Sequence, residues 1–171
     1  MLQSMRRWYG EDDELFSLRA GRLAHSVYAK ITPELASSLL RIIESGDNTD
    51  LAFVLEVLER FEGAEETRPL YKAIVAKLPM DDRLLRAVSV GFNATGLVMG
   101  EFGMAEAYKV RQAAVAQWLE DPDEKIRNFA KGEVALLDRM IKSEQRRAEE
   151  DLELRKRTWG MDPNDGKGDP K

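Results

Sequence analysis

Apolar positions in this chain recur three and four residues apart, in runs separated by short polar turns. That period predicts amphipathic helices, whereas a strand would alternate residue by residue. The clearest segment is Trp118 to Ile141. Trp118 and Leu119 close one helix, Asp121-Pro122-Asp123 makes a turn, and Ile126, Phe129, Ala130, Leu137, Met140 and Ile141 line the next helix, with Val134 between. Pro122 lacks an N–H and has a fixed φ, so it ends the incoming helix and suits the start of a new one. Carboxylates at 121, 123 and 124 sit at the positive end of the new helix dipole.

The same rhythm runs upstream. Thr32-Pro33 starts a helix lined by Leu35, Leu39, Ile42 and Ile43, which Gly46 stops. Thr49 or Asp50 is the expected cap of the next helix, with Leu51, Val54, Leu55, Leu58 and Phe61 inside. Arg68-Pro69 opens a helix through Leu70, Ile74 and Leu78. Asp81 or Asp82 then caps another through Leu84, Leu85, Val88 and Phe92. Asp-containing turns thus recur near 47–50, 81–82 and 121–123, roughly 35 to 40 residues apart, a period that marks helical-repeat arrays. In register, Phe53, Leu85 and Ile126 take one apolar position and Val57, Ser89 and Ala130 a smaller one. Arg86 matches Arg127, while Val54 stands in that place in the first pair. A helix pair cannot bury its own apolar face, so its neighbours must stack on it.

The stretch DPDEKIRNFA resembles the second helix of a HEAT repeat, with Ile126, Arg127 and Ala130 in the aliphatic, Arg and small places of that pattern. The resemblance implies an all-α fold of stacked antiparallel helix pairs, a HEAT-like α-solenoid. About three pairs would occupy residues 32–159, ending in a long charged helix. In such proteins a turn Asp and a helix Arg often form a ladder between repeats, which implicates Asp121 or Asp123 with Arg127. The segments FVLEVLERFEG, GEFGM and RRAEEDLELRKR are also similar to C-terminal helical segments of large bacterial multidomain proteins, NTPase-linked and defence-type ones included. That likeness implies a regulatory or sensing module.

Outside the pairs, residues 1–31 read as an N-terminal arm and a helix. Arg6, Arg7, Trp8 and Tyr9 form a basic-aromatic opening whose aromatics are expected to dock on the helical body. Phe16, Ala20, Leu23, Val27 and Ile31 give a helical stripe over Glu11 to Lys30, weakened by Gly21. Gly91 to Met104 breaks the rhythm with four glycines. They are read as sites of close backbone approach, and the alternative is a binding loop that offers Glu101 and Phe102. Glu106 to Glu120 is a helix with Tyr108, Val115, Trp118 and Leu119 as its buried candidates. Beyond Ile141 the last helix becomes almost wholly charged. We read it as a solvated extension, and the alternative is a docking rod with Arg155, Lys156 and Arg157 beside Trp159 as anchor. Residues 160–171, rich in Gly, Asp and Pro, are expected to be disordered.

Composition narrows the chemistry. The net charge is −5, and an acidic balance argues against nucleic acid, since phosphate binding needs a concentrated Lys/Arg face. The groove of a HEAT-like DNA glycosylase would require cations such as Arg6, Arg7, Lys109, Arg111, Lys125 and Lys131 to converge. The chain has no Cys and a single His, His25, so thiolate metal sites and Cys nucleophiles are excluded. Any Ser–His–Asp scheme would have to pass through His25. The neighbouring carboxylates Glu65-Glu66 and Glu149-Glu150-Asp151 fall on expected surface, where nothing shifts a pKa. We therefore expect no catalytic, cofactor or metal site, and a non-catalytic scaffold whose partner is another protein. No run is long and apolar enough for a membrane span, and the opening residues lack a secretory h-region, so a cytoplasmic location is expected.

Overall fold

The computed structural model describes residues 1–11, 19, 22–61, 63–95 and 98–159, with Trp159 described in its backbone only. Among these every regular element is helical. Seven α-helices are α1 (Leu2–Glu11), α2 (Pro33–Ser45), α3 (Asn48–Leu58), α4 (Arg68–Lys77), α5 (Leu84–Asn93), α6 (Gly103–Ala116) and α7 (Glu124–Trp159). Short 3₁₀ turns stand at Glu59–Phe61, Glu65–Thr67 and Gln117–Glu120, and residues 22–27 are also helical. The expected tail, 160–171, and the stripe positions Phe16 and Ala20 lie outside the described residues.

Local chemistry sets the helix starts. Thr32 Oγ1 accepts from Leu35 N at 3.2 Å and Pro33 follows in the first turn. For α3 the cap is Asp47, where Thr49 or Asp50 was expected. Asp47 accepts from Asp50 N at 3.1 Å, and the Asp50 carboxylate accepts from Asp47 N in return. This reciprocal box moves the helix start two or three residues upstream. Asp82 accepts from Leu84 N at 2.8 Å and Asp123 from Lys125 N at 2.8 Å. Each Asp-containing turn thus satisfies a first-turn N–H of the helix it opens.

α3 lies at the centre. It packs against α1, α2 and α5, and Leu51, Phe53, Val54, Leu55, Val57 and Leu58 are all buried. Burial all round, not amphipathicity, holds it. The register positions Phe53, Leu85 and Ile126 are all buried, as are Val57 and Ala130. α2 also packs on α4, α4 on α5 and α7, and α5 on α6.

The residues before α2 differ in part from expectation. The opening is a regular helix, α1, and its expected aromatic docking is carried by Tyr9, buried with Met5 and edge-on to Phe53 at 5.6 Å, while Trp8 is exposed. Arg6 pairs with Asp50. In the next segment Ala24 and Ile31 are buried, while Leu23 and Val27 are exposed. The inward face is therefore offset from the stripe that hydrophobicity alone selects.

The Gly91–Met104 segment is shorter as a loop than expected. α5 continues through Asn93 and α6 begins at Gly103. Gly91 lies inside α5, where an added Cβ would stand 2.5 Å from Tyr71 Oη. Close approach of α5 to α4 therefore requires glycine there. Gly100, with φ +94°, turns the loop.

Candidate interaction surface

The longest element governs the surface. α7 has 36 residues, about 54 Å at 1.5 Å per residue. Its first half packs on α4, and α6 runs beside it in the most extensive helix–helix contact of the molecule. The two run antiparallel: Gln112 Nε2 donates to Val134 O at 3.2 Å, while further out Arg155 Nη1 pairs with Glu101 Oε1 at 2.7 Å. α6 and the loop before it thus run along one face of the charged second half of α7, the loop reaching Arg155. Ile141 and Ala148 are buried and Leu152 is half-buried. Arg139, Lys142, Arg146, Glu150 and Arg157 face outward.

The Glu101–Arg155 pair joins two stretches 54 residues apart in sequence, and both were candidates for interaction. Beside Glu101 stand Met99, 85% exposed, and Phe102, 38% exposed, and beside Arg155 stands Leu154, 63% exposed. Lys156 is half-buried and bonds Glu153 at 2.9 Å, which holds the Glu153 carboxyl below its usual range, while Arg157 is exposed. Trp159 ends α7, and its side chain lies outside the described residues. At the tip of the hairpin, apolar side chains thus stand exposed among charges of both signs.

Phe102 occupies the N-cap position of α6 and makes no side-chain cap bond. That position favours Ser, Thr, Asp or Asn, whose oxygens accept the orphan N–H groups. The start of α6 therefore gives no local reason for an aromatic residue there.

The turn residues have other partners. Arg127 Nη1 donates to Asp121 O at 2.7 Å and Pro122 O at 2.8 Å, the carbonyls of its own turn. The Asp121 carboxylate pairs with Lys72 of α4 and accepts from Asp123 N at 2.9 Å, which together hold its pKa below the ordinary range. Asp123 accepts from Lys125 N. Asp121 thereby ties the last turn to α4, and further ties between helices are made by other residues. Lys77 Nζ of α4 donates to Ile43 O, Glu44 O and Gly46 O at 2.6, 2.9 and 2.5 Å, capping the end of α2. Lys125 Nζ reaches Ala76 O near the end of α4 at 3.4 Å, and Asn48 of one turn bonds Asp82 of the next at 3.0 Å. A cation against the negative end of a neighbouring helix is favoured by that helix's dipole.

Of the six cations named for a groove, Lys131 is exposed and Lys125 reaches Ala76 O; the other four are engaged or covered elsewhere. Arg6 pairs with Asp50, Arg7 with Glu11 at 3.6 Å and Lys109 with Glu106 at 2.7 Å, while Arg111 is buried. His25 is exposed with its ring against Phe61. Among the described residues no group of three His or acidic side chains stands together as metal ligands, and no helix is long and apolar enough to cross a membrane. Sequence reasoning missed the pair at the base of the hairpin, where the half-buried Asn93 donates from Nδ2 to Oε2 of the buried Glu133 at 2.7 Å. It also placed Arg111 among surface cations. The signal was present: Arg111 lies three residues after Tyr108 and four before Val115, on the face those residues define. No protein family, curated protein or solved structure matches this chain.

Proposed function

We propose that this chain is a non-catalytic, HEAT-like scaffold whose stacked helix pairs hold out the α6–α7 hairpin for another protein. Support for the repeat reading comes from three Asp-capped turns and from lysines of one helix pair reaching carbonyls at the helix end of the preceding pair. Support for the protein partner comes above all from Phe102, an aromatic residue exposed where helix capping favours a polar one. Met99 and Leu154 extend the apolar contact, and Glu101, Arg155 and Arg157 supply a polar rim of the kind that surrounds interface anchors.

Affinity capture from native lysate tests this with three baits: the wild type, Met99→Asp/Phe102→Asp, and Val90→Asp on α5. Asp at 102 can cap α6, so the tip variant stays folded. A protein held by wild type and Val90→Asp but lost from the tip variant is the expected result. Equal recovery on all three baits refutes the tip as the docking surface.

A further inference from the structure

The outward face of α7 sorts its charges by sign. Between residues 139 and 147 the exposed positions are Arg139, Lys142, Ser143, Arg146 and Arg147, with no exposed carboxylate among them. Between 149 and 154 they are Glu149, Glu150, Asp151, Glu153 and Leu154, with no cation. A helix face that is merely solvated alternates its signs, so that unlike charges meet one turn apart. Here such meetings are few. Lys142 bonds Asp138 at 2.7 Å and Arg146 stands 3.8 Å from Glu150, all four side chains being at least half exposed. Exposed pairs of this kind contribute little and exchange readily. Among the described residues Arg139, Arg147, Glu149 and Asp151 have no ion pair. Arg146, Glu149, Glu150, Glu153, Leu154 and Arg157 line a shallow groove of about 380 Å³ on this face.

A basic block followed by an acidic block is complementary to itself when reversed. Two copies of α7 laid antiparallel set the basic block of each chain against the acidic block of the other, whereas a parallel pairing sets like against like. A two-fold axis level with residue 148 places Arg146 opposite Glu150 of the second copy and Arg147 opposite Glu149. Each pair then occurs twice, as an isologous interface requires. Arg139 and Lys142 fall within a turn of Glu153. The helix dipoles also oppose each other favourably. One like pair remains, Arg139 opposite Arg157, at each end of the contact. We infer that the outward face of α7 binds a second copy of this chain, in a two-fold antiparallel pairing over residues 139–157, about 27 Å of helix. The attraction lies between exposed charges, so the dimer is weak and dissolves as salt shortens the Debye length. Met99 and Phe102 take no part, so the pairing does not depend on a protein partner at the tip.

Analytical ultracentrifugation of the whole chain tests it at about 20 mM and about 500 mM salt, between which the Debye length falls from about 20 Å to about 4 Å. At low salt wild type should pass from monomer to dimer as concentration rises, and at high salt it should stay monomeric. Arg146→Glu/Arg147→Glu makes both blocks acidic, and Glu149→Lys/Glu150→Lys makes both basic. Each variant alone should be monomeric, and an equimolar mixture of the two should recover the dimer at low salt. Recovery on mixing excludes misfolding as the cause of the loss. Arg157→Glu turns the repulsion at each end into attraction and should lower the Kd about fourfold. Met99→Asp/Phe102→Asp should dimerise as wild type does, which tests this face apart from the tip. A wild type monomeric at low salt, assemblies larger than two chains, either charge variant dimerising by itself, a mixture that stays monomeric, or loss of the dimer in the tip variant overturns the pairing.

Discussion

Replacing Gly91 with Ala sets two effects of opposite sign against each other. In an open helix, Ala is favoured over Gly by about 1 kcal/mol. In α5 the new methyl would stand 2.5 Å from Tyr71 Oη, 3.0 Å from Cζ and 3.2 Å from Cε1, well inside the roughly 3.5–4.0 Å at which carbon contacts are favourable. Tyr71 is 2% exposed, so its ring cannot swing into solvent and either α4 or α5 must shift. Overpacking of this kind costs about 1–3 kcal/mol. The net expectation is destabilisation of about 1 kcal/mol, seen as a melting midpoint lower by about 2–4 °C for a chain of this size. Gly132 supplies the control, because it is exposed in α7 with nothing within 4 Å of an added Cβ. Gly132→Ala should therefore stabilise by about 0.5–1 kcal/mol. Adding Tyr71→Phe to Gly91→Ala removes the closest contact and leaves those at 3.0 and 3.2 Å. The double mutant should accordingly show a favourable coupling of about 0.5–2 kcal/mol. Urea and thermal unfolding of these three variants and of Tyr71→Phe alone measure all of this. If Gly91→Ala stabilised the protein as much as Gly132→Ala does, the close packing of α5 on α4 would be refuted.

Two further outcomes follow from the polar contacts. Arg127→Ala removes two charge-assisted bonds to the carbonyls of the Asp121-Pro122 turn, and should lower stability by about 1–2 kcal/mol; an unchanged melting midpoint would show that water replaces the guanidinium without loss. Asp50 has its pKa lowered, first by the hydrogen bond from Arg6. Its contribution is therefore fully present above the unfolded carboxylate value, about 3.9, and is lost as pH falls through the folded value. Arg6→Gln should lower stability at neutral pH and narrow its gap from wild type towards pH 2. A gap that stays constant across that range would remove the ion pair as its cause.

Helices and their punctuation were legible because they depend on nearest neighbours in sequence. Thr32-Pro33, Arg68-Pro69 and the Asp121-Pro122 turn carry their own instructions, and each stands at or beside a helix start. The cap of α3 was displaced only from Thr49 or Asp50 to Asp47, because two aspartates three apart can cap each other's N–H. The segment before α2 was harder to read. Leu23 and Val27 have the right spacing and the right chemistry, yet Ala24 is buried instead. Which face turns inward depends on what it meets, and a small residue is buried where backbones come close.

The candidate surface was legible in pieces. Phe102 and the Arg155–Arg157 cluster each stood out in sequence as apolar or basic residues out of place. Nothing in the chain indicated that they share one location. The partner of Asp121 was equally hidden, since nothing in sequence sets Lys72 apart from other lysines, and the same holds for Lys77 and Lys125, which reach carbonyls of neighbouring helices. Arg111 too read in sequence as an exposed cation.

The order of residues, through apolar period, caps and turns, determined that this chain is helical, where most helices begin, and which side chains form the core of α3, α5 and α7. These are local choices settled within a turn or two of helix. Only the tertiary structure decided that α6 lies along one face of the charged half of α7, that the Glu101 loop meets Arg155, and that Arg111 is buried against Ala94 O. Contacts between residues tens of positions apart depend on how helices cross and how closely they approach, and side-chain volume at a few positions such as Gly91 and Ala148 sets that distance.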